Sequence, residues 1–173
     1  MKREAAVTFK GAPMTLVGNP LEIGSKIPEF TLHYYEGGLK TLSPADLLGK
    51  PTLISVVPSL DTGVCAIQTK HFNTDVAALG DQINAVTVSL DLPFAQGRFC
   101  SENGVSMRTA SDYQNRSFGE ACGMLIDELK LLTRAVVVLD ANGQVVYTEV
   151  VPEVTSEPNY AAALEAINSC LNG

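Results

Sequence analysis

Leu53-Ile54-Ser55-Val56-Val57-Pro58-Ser59-Leu60-Asp61-Thr62-Gly63-Val64-Cys65 is the stretch whose reading decides the fold. Its first five residues are apolar and β-branched around a single serine, the pattern of a buried strand. Beyond it, Ile67, Phe72, Val76 and Leu79 fall near helical spacing in the segment Ala66 to Leu79. The pattern is strand, turn, helix, with a cysteine in the first helical turn. If Thr62 is the N-cap, its hydroxyl satisfies a free backbone N–H and Cys65 is the third helical residue. Unpaired N–H groups and the positive end of the helix dipole there favour a thiolate, the nucleophilic form of cysteine. The other reading is that Cys65 is a small buried hydrophobe. Position alone leaves both open.

Working outward, the 173 residues suit one domain over 1–173, large enough for a real core. Hydrophobic content of 46% against 18% charged residues indicates a globular chain and excludes a disordered one. A net charge of −7 argues against a nucleic-acid partner. No apolar run reaches membrane-spanning length. Met1-Lys2-Arg3-Glu4-Ala5-Ala6 carries charge with no following apolar core and cleavage site, so no secretory signal is expected. Cysteines stand at 65, 100, 122 and 170, none in Cys-x-x-Cys, which points away from a zinc ribbon and from a thioredoxin-type dithiol. With only His33 and His71 in the chain, no metal site is expected, nor any organic cofactor. The cysteine spacing without a signal fits a cytoplasmic protein with mostly reduced thiols.

Ala6–Phe9 and Met14–Val17 flank Lys10-Gly11-Ala12-Pro13 and read as an N-terminal β-hairpin. Thr31-Leu32 starts a short strand, Gly37-Gly38 makes a tight turn, and Ser43-Pro44 opens a short helix that stops at Gly49. Ile83–Leu90 is a second core strand, which makes the central unit a right-handed βαβ crossover. Asp91-Leu92-Pro93 opens another helix. Leu132–Leu139 is a third core strand, joined through Asp140-Ala141-Asn142-Gly143 to Gln144–Val150 as a hairpin. A C-terminal helix follows Pro158-Asn159-Tyr160.

Three residues of the opening stretch carry more than position does. Pro58, Thr62 and Cys65 reproduce the Pro-x-x-x-Thr-x-x-Cys motif of peroxiredoxins, and Pro58-Ser59-Leu60-Asp61-Thr62 with Val64-Cys65 closely resembles the atypical two-cysteine, thiol peroxidase branch of that family. Asp91-Leu92-Pro93-Phe94-Ala95-Gln96 with Arg98-Phe99-Cys100 is similar to that branch's resolving-cysteine segment. Arg134-Ala135-Val136, before Val138-Leu139-Asp140, resembles the setting of the family's active-site arginine. The N-terminal hairpin and Gly24–Phe30 match the family as well, with Ile27 where alanine is commoner.

The resemblance implies an α/β, thioredoxin-like fold with an N-terminal hairpin extension, and the order βαβα…ββα agrees. It further implies a peroxidase that reduces hydrogen peroxide and alkyl hydroperoxides. Cys65 would be the attacking sulfur, with Thr62 and Arg134 holding thiolate and peroxide in line and Pro58 shielding the pocket from water. Cys100 of the same chain would close a disulfide, thioredoxin would reduce it, and the enzyme would be a homodimer. Taken without the resemblance, Cys100 reads as a packed thiol, and Arg134 either as the partner of an anion or as a surface cation paired with Glu149. A redox sensor using the same disulfide, or a dithiol oxidoreductase, remains an alternative class. Cys122 reads as core and Cys170 as a partly exposed thiol; Arg98 and Arg108 read as solvent-facing. The two motif cysteines fall in different helices, so their disulfide would require local unwinding, which Gly63 and Gly97 favour.

Overall fold

Apolar strands and helix-spaced segments alternate along the chain, and a computed structural model describes all 173 residues, Met1–Gly173. The order is β1 (Lys2–Phe9), β2 (Ala12–Val17), β3 (Leu32–Tyr35), β4 (Leu39–Leu42), a 3-10 turn (Pro44–Leu47) and β5 (Thr52–Val56). It continues through α1 (Gly63–Ala77), a second 3-10 turn (Gly80–Gln82), β6 (Asn84–Ser89), α2 (Pro93–Asn103), β7 (Arg108–Ser111) and α3 (Ser117–Ala121). The last elements are β8 (Leu125–Ile126), β9 (Leu131–Leu132), β10 (Ala135–Leu139), β11 (Val145–Val150) and α4 (Tyr160–Asn172). No helix is long and apolar enough to cross a membrane.

Seven strands form the main sheet in the order β11-β10-β5-β6-β7-β3-β4. β5 and β6 pair in parallel, Val56 opposite Val88, as the strand–helix–strand pattern predicts. β10 lies antiparallel to β5, Ala135 opposite Val56. Every residue of β5 and β10 is buried because both faces of the sheet are covered. On one face Leu53, Val136 and Val138 meet Phe72 and Val76 of α1 and Ala163 and Ile167 of α4. On the other, Ile54, Val56, Val137 and Leu139 meet Phe30, Phe118 and Met124. The residues of one strand thus divide between two cores with period two.

A smaller sheet, β1-β2-β8-β9, sits at the N-terminal hairpin. Lys10 and Gly11 both adopt positive φ, 50° and 82°, which the tight turn between β1 and β2 requires. The hairpin is not free: Thr8 N–H donates to Pro152 O and Val154 N–H to Thr8 O, both at 2.8 Å.

One sequence expectation is corrected. Leu132–Leu139 is not a single strand. Leu131–Leu132 belongs to the small sheet and Ala135–Leu139 to the large one, with Thr133 and Arg134 crossing between them. The polar pair Thr133-Arg134 marks the switch, but with apolar residues on both sides it reads equally as an interruption within one strand, because both sheets bury their residues and only the pairing partner changes.

Asp112, after β7, is almost fully buried and accepts the N–H groups of Phe118 (3.0 Å) and Gly119 (2.8 Å) in α3. Burial pushes its carboxyl up to about 6, outweighing those two bonds. A carboxyl whose folded value is raised stabilises the fold while protonated and loses that contribution as pH rises from about 4 to about 6. Relative to Asp112→Asn, the wild type should therefore lose on the order of 2–3 kcal/mol of unfolding free energy between pH 4 and pH 7. Urea melts of both proteins across that range check this, and parallel curves would contradict it.

Candidate active site

The site lies where β5 ends and α1 begins. The register that pairs Ala135 with Val56 sets the residue before β10 beside the residue after β5. Arg134 is thereby delivered next to the Pro58–Cys65 segment across 69 residues of chain. Its side chain is buried, 2% exposed, and makes no contact with Glu149, so the surface-pair reading is corrected: Glu149 instead accepts from Tyr147 Oη and Asn159 N. All three faces of the guanidinium are used. Nη2 donates to Cys65 Sγ at 3.2 Å, Nη1 to Gln68 Oε1 at 2.9 Å and Nε to Val154 O at 2.7 Å.

Cys65 is the third residue of α1 and fully buried, packed with Val57 and Leu60. The burial fits either reading of the sequence, but the arginine contact does not fit a simple hydrophobe. A charged donor aimed at sulfur from a rigid fork stabilises negative charge there.

Thr62 stands at the N-cap position with extended backbone, φ −105°, but its hydroxyl caps nothing. It donates to Ser59 O at 2.9 Å, closing the turn, so the capping role expected of it is corrected. No side chain caps α1, and the N–H groups of its first turn keep their capacity for an anion beside the arginine. Pro58 is buried in the same wall. A cleft of about 280 Å³ opens between Pro58, Thr62, Gly63, Val64 and Arg134 on one side and Phe9, Lys10, Val154 and Thr155 on the other. It suits a small polar molecule entering over an apolar rim.

Residues that sequence reading did not single out complete the site. Gln68, one helical turn after Cys65, is fully buried; its amide donates to Ser55 Oγ at 2.8 Å while its carbonyl holds the arginine. A glutamine among α1's buried positions was the available signal, since such a group needs partners. Glu153 accepts from Thr8 Oγ1, Gly11 N, Thr155 N and Thr155 Oγ1, clasping the hairpin tip to the segment whose Val154 carbonyl holds Arg134. The Thr155 hydroxyl and backbone bonds hold its carboxyl down at about 2.

Cys100 is not brought into contact with Cys65. It is the eighth residue of α2, half-buried, with Sγ 3.8 Å from Thr109 Oγ1. Both thiols are free. The neighbouring Phe99 does pack against the Val57–Leu60–Cys65 cluster. Burial pushes the Cys100 thiol up, partly offset by Thr109. Cys122 is buried in the core with its thiol raised to about 12 by desolvation, and Cys170 lies in α4, raised by burial. His71 faces Asp75 (3.5 Å) and the Tyr160 ring, with no part in the cysteine site.

A buried arginine on a helix-start cysteine, set at the end of a central strand of a mixed sheet, defines a thiol-based redox centre on a thioredoxin-like scaffold. The comparisons with known proteins carry this further. The Redoxin family matches residues 22–164. A thiol peroxidase of Bacillus subtilis is 52% identical over 163 residues, covering 94% of this chain and 96% of the relative. One from Halalkalibacterium halodurans is 49% identical over 168 residues, covering 96% and 99%. A peroxiredoxin-like protein from Aquifex aeolicus superposes with a TM-score of 0.87 at 37% identity, covering 97% of this chain and 99% of that one. The chain belongs to the Redoxin family and is a peroxiredoxin-type, thiol-dependent peroxidase.

Arg134→Ala should slow oxidation of Cys65 by hydrogen peroxide roughly a hundredfold or more, the loss expected when a preorganised donor is removed. Gln68→Leu, which leaves the arginine in place but frees one side of it, should cost roughly tenfold. The chain has no tryptophan, so rapid quench followed by thiol mass spectrometry is the readout. An unchanged rate in Arg134→Ala would make the arginine merely structural.

Proposed function

We propose that Cys65 is the peroxidatic cysteine and Cys100 the resolving cysteine of a thioredoxin-recycled peroxidase acting on hydrogen peroxide and alkyl hydroperoxides. The observation that carries the reading is the 3.2 Å bond from Arg134 Nη2 to Cys65 Sγ at the uncapped start of α1. The Cys65 thiolate attacks the terminal peroxide oxygen. An S–O bond forms, the O–O bond breaks, and a proton goes to the leaving oxygen as water or alcohol departs, leaving a sulfenic acid. Arg134 and the first-turn N–H groups face the charge that develops on the oxygens. Thr62, with its hydroxyl tied to Ser59 O, holds the turn at the cleft, and Pro58 closes the wall against water.

The Cys100 thiol then displaces water from the sulfenic acid to form an intrachain disulfide, and a thioredoxin dithiol returns the two electrons. Cys100 is favoured over the other thiols by place. It is half-buried on the helix whose Phe99 touches the Cys65 cluster, whereas Cys122 is sealed in the core and Cys170 sits near the end of α4. Both cysteines lie in intact helices, so the disulfide requires the start of α1 or the middle of α2 to unwind. We place the enzyme in the cytoplasm, where its thiols stay reduced between cycles. Tyr35, Leu39, Leu92 and Phe94 are exposed apolar side chains, with the Tyr35 and Phe94 rings 5.5 Å apart, and favour a homodimer.

Two experiments test this. Cys65→Ser should abolish peroxidase turnover. Cys100→Ser should still consume about one equivalent of peroxide but stall with thioredoxin, thioredoxin reductase and NADPH, while Cys122→Ser and Cys170→Ser turn over near wild type. A redox sensor would stall after one equivalent even as wild type. In the disulfide form, amide hydrogen exchange should accelerate in segments near 61–68 and 93–104 alone; identical protection in both redox forms would exclude the unwinding step.

A further inference from the structure

Asp91 stands in the Asp-Leu-Pro-Phe-Ala-Gln string before Cys100, yet no step of the reaction above uses it. Its carboxylate lies at the join between β6 and α2 and takes three donors. Ser59 Oγ donates to Oδ1 at 2.7 Å, while Leu60 N–H donates to Oδ2 at 2.8 Å and Ser89 Oγ to Oδ2 at 2.7 Å. Two of these come from the loop between Pro58 and Thr62. The third continues the network, because Ser89 Oγ also accepts from Gln96 Nε2 at 3.0 Å, and the same amide reaches Ala110 O at 2.9 Å. Gln96 is 1% exposed and sits one helical turn before Cys100. One polar chain therefore runs from the loop that leads into Cys65 to the helix that carries Cys100.

We propose that Asp91 is a positioning residue for the peroxide reaction: it holds the Ser59–Leu60 loop, and with it Pro58 and Thr62, in the geometry that accepts peroxide. Through Ser89 and Gln96 it ties that loop to α2. A carboxylate suits the task because it only accepts, and here it faces three donors from two segments. A charged acceptor also makes shorter and stronger bonds than a neutral one. Gln96 is a releasable tie, since its Oε1 is buried without a partner, an unmet acceptor that raises the energy of the closed form. Loosening the loop then loosens α2, so the two segments that must move for the disulfide move together. The α2 half of this proposal rests on Cys100 as the resolving thiol; the loop half does not.

The loop half is read in the Cys100→Ser background, where no disulfide can follow. There, Asp91→Asn should lower the second-order rate of Cys65 oxidation by hydrogen peroxide roughly tenfold, because an amide has one accepting oxygen where the carboxylate has two. Ser59→Ala should lower it a few-fold, and the double variant should be no slower than Asp91→Asn alone, since both remove one linkage. A merely structural aspartate would shift the melting temperature without this rate loss or would combine additively with Ser59→Ala, and either result overturns the proposal. With Cys100 present, Asp91→Asn and Gln96→Met should each speed closure of the disulfide several-fold, followed by quench and peptide mapping. Unchanged closure in both overturns the α2 half. Absence of a Cys65–Cys100 disulfide in the wild-type map overturns that half together with the resolving role of Cys100, while the Cys100→Ser rates still decide the loop half.

Discussion

The structure around the Cys65 sulfur depends on one buried guanidinium. Burying a cation is expensive unless its donors find acceptors, and Arg134 meets that demand with a carbonyl, an amide oxygen and a thiol sulfur. The partners come from two distant parts of the chain, so the arginine ties the segment after β11, through Val154, to the first two turns of α1, through Cys65 and Gln68. The arrangement also works in reverse. Removing the sulfur's partner leaves a glutamine with a buried, unmet acceptor, and removing the glutamine leaves the guanidinium free to tilt. Each of these buried polar groups is held by a named partner, and fixed polar groups are what preorganised electrostatics requires.

Why the arginine can reach the sulfur is a matter of sheet register. Antiparallel pairing of β10 with β5 sets the entry to one strand beside the exit of the other, and the helix start follows within a few residues. The chain arrives at Arg134 by leaving the small sheet, so a change of sheet places the residue where a continuous strand would have kept it in a ladder. The N-terminal hairpin closes the far side of the cleft, held by Glu153 bonds to its tip. An extension outside the central βαβ unit thus supplies one wall of the pocket.

Three of the four thiols show how differently one chemical group can be surrounded. Cys65 has a charged donor and a helix start; Cys100 has a partly solvated helix and a hydroxyl neighbour; Cys122 has only the core and the nearby Asp112 charge, which raise it to about 12. Desolvation without a partner suppresses the thiolate, so burial by itself separates an inert cysteine from a reactive one only when the partner is known.

Much of the fold was legible in the residues. Apolar runs of the right length, the proline and glycine breaks, the N-terminal hairpin and the Asn142-Gly143 turn are local signals, and local sterics settle them, although the hairpin turn is two residues tighter than the Lys10–Pro13 loop read from the sequence. Cys65 at the third position of α1 was legible for the same reason, and the family motifs named Pro58, Thr62, Cys100 and Arg134. The partners were not legible. Gln68, Val154 and Glu153 act through contacts 66, 20 and more than 140 residues away, distances at which no periodicity speaks. The Thr62 hydroxyl had two sterically open choices, a helix N–H and the Ser59 carbonyl, and only the folded turn selected the second. The break at Thr133–Arg134 was hidden because the apolar residues on either side of that polar pair look alike whichever sheet they join. By itself the sequence determined where strands and helices form and which residues could be reactive, because those follow from side-chain volume, hydropathy and backbone preference within a few positions. Only the tertiary structure decided which of them meet, because hydrogen-bond partners across the chain are chosen by register and burial, and a buried guanidinium donates to the acceptors that packing brings within its reach.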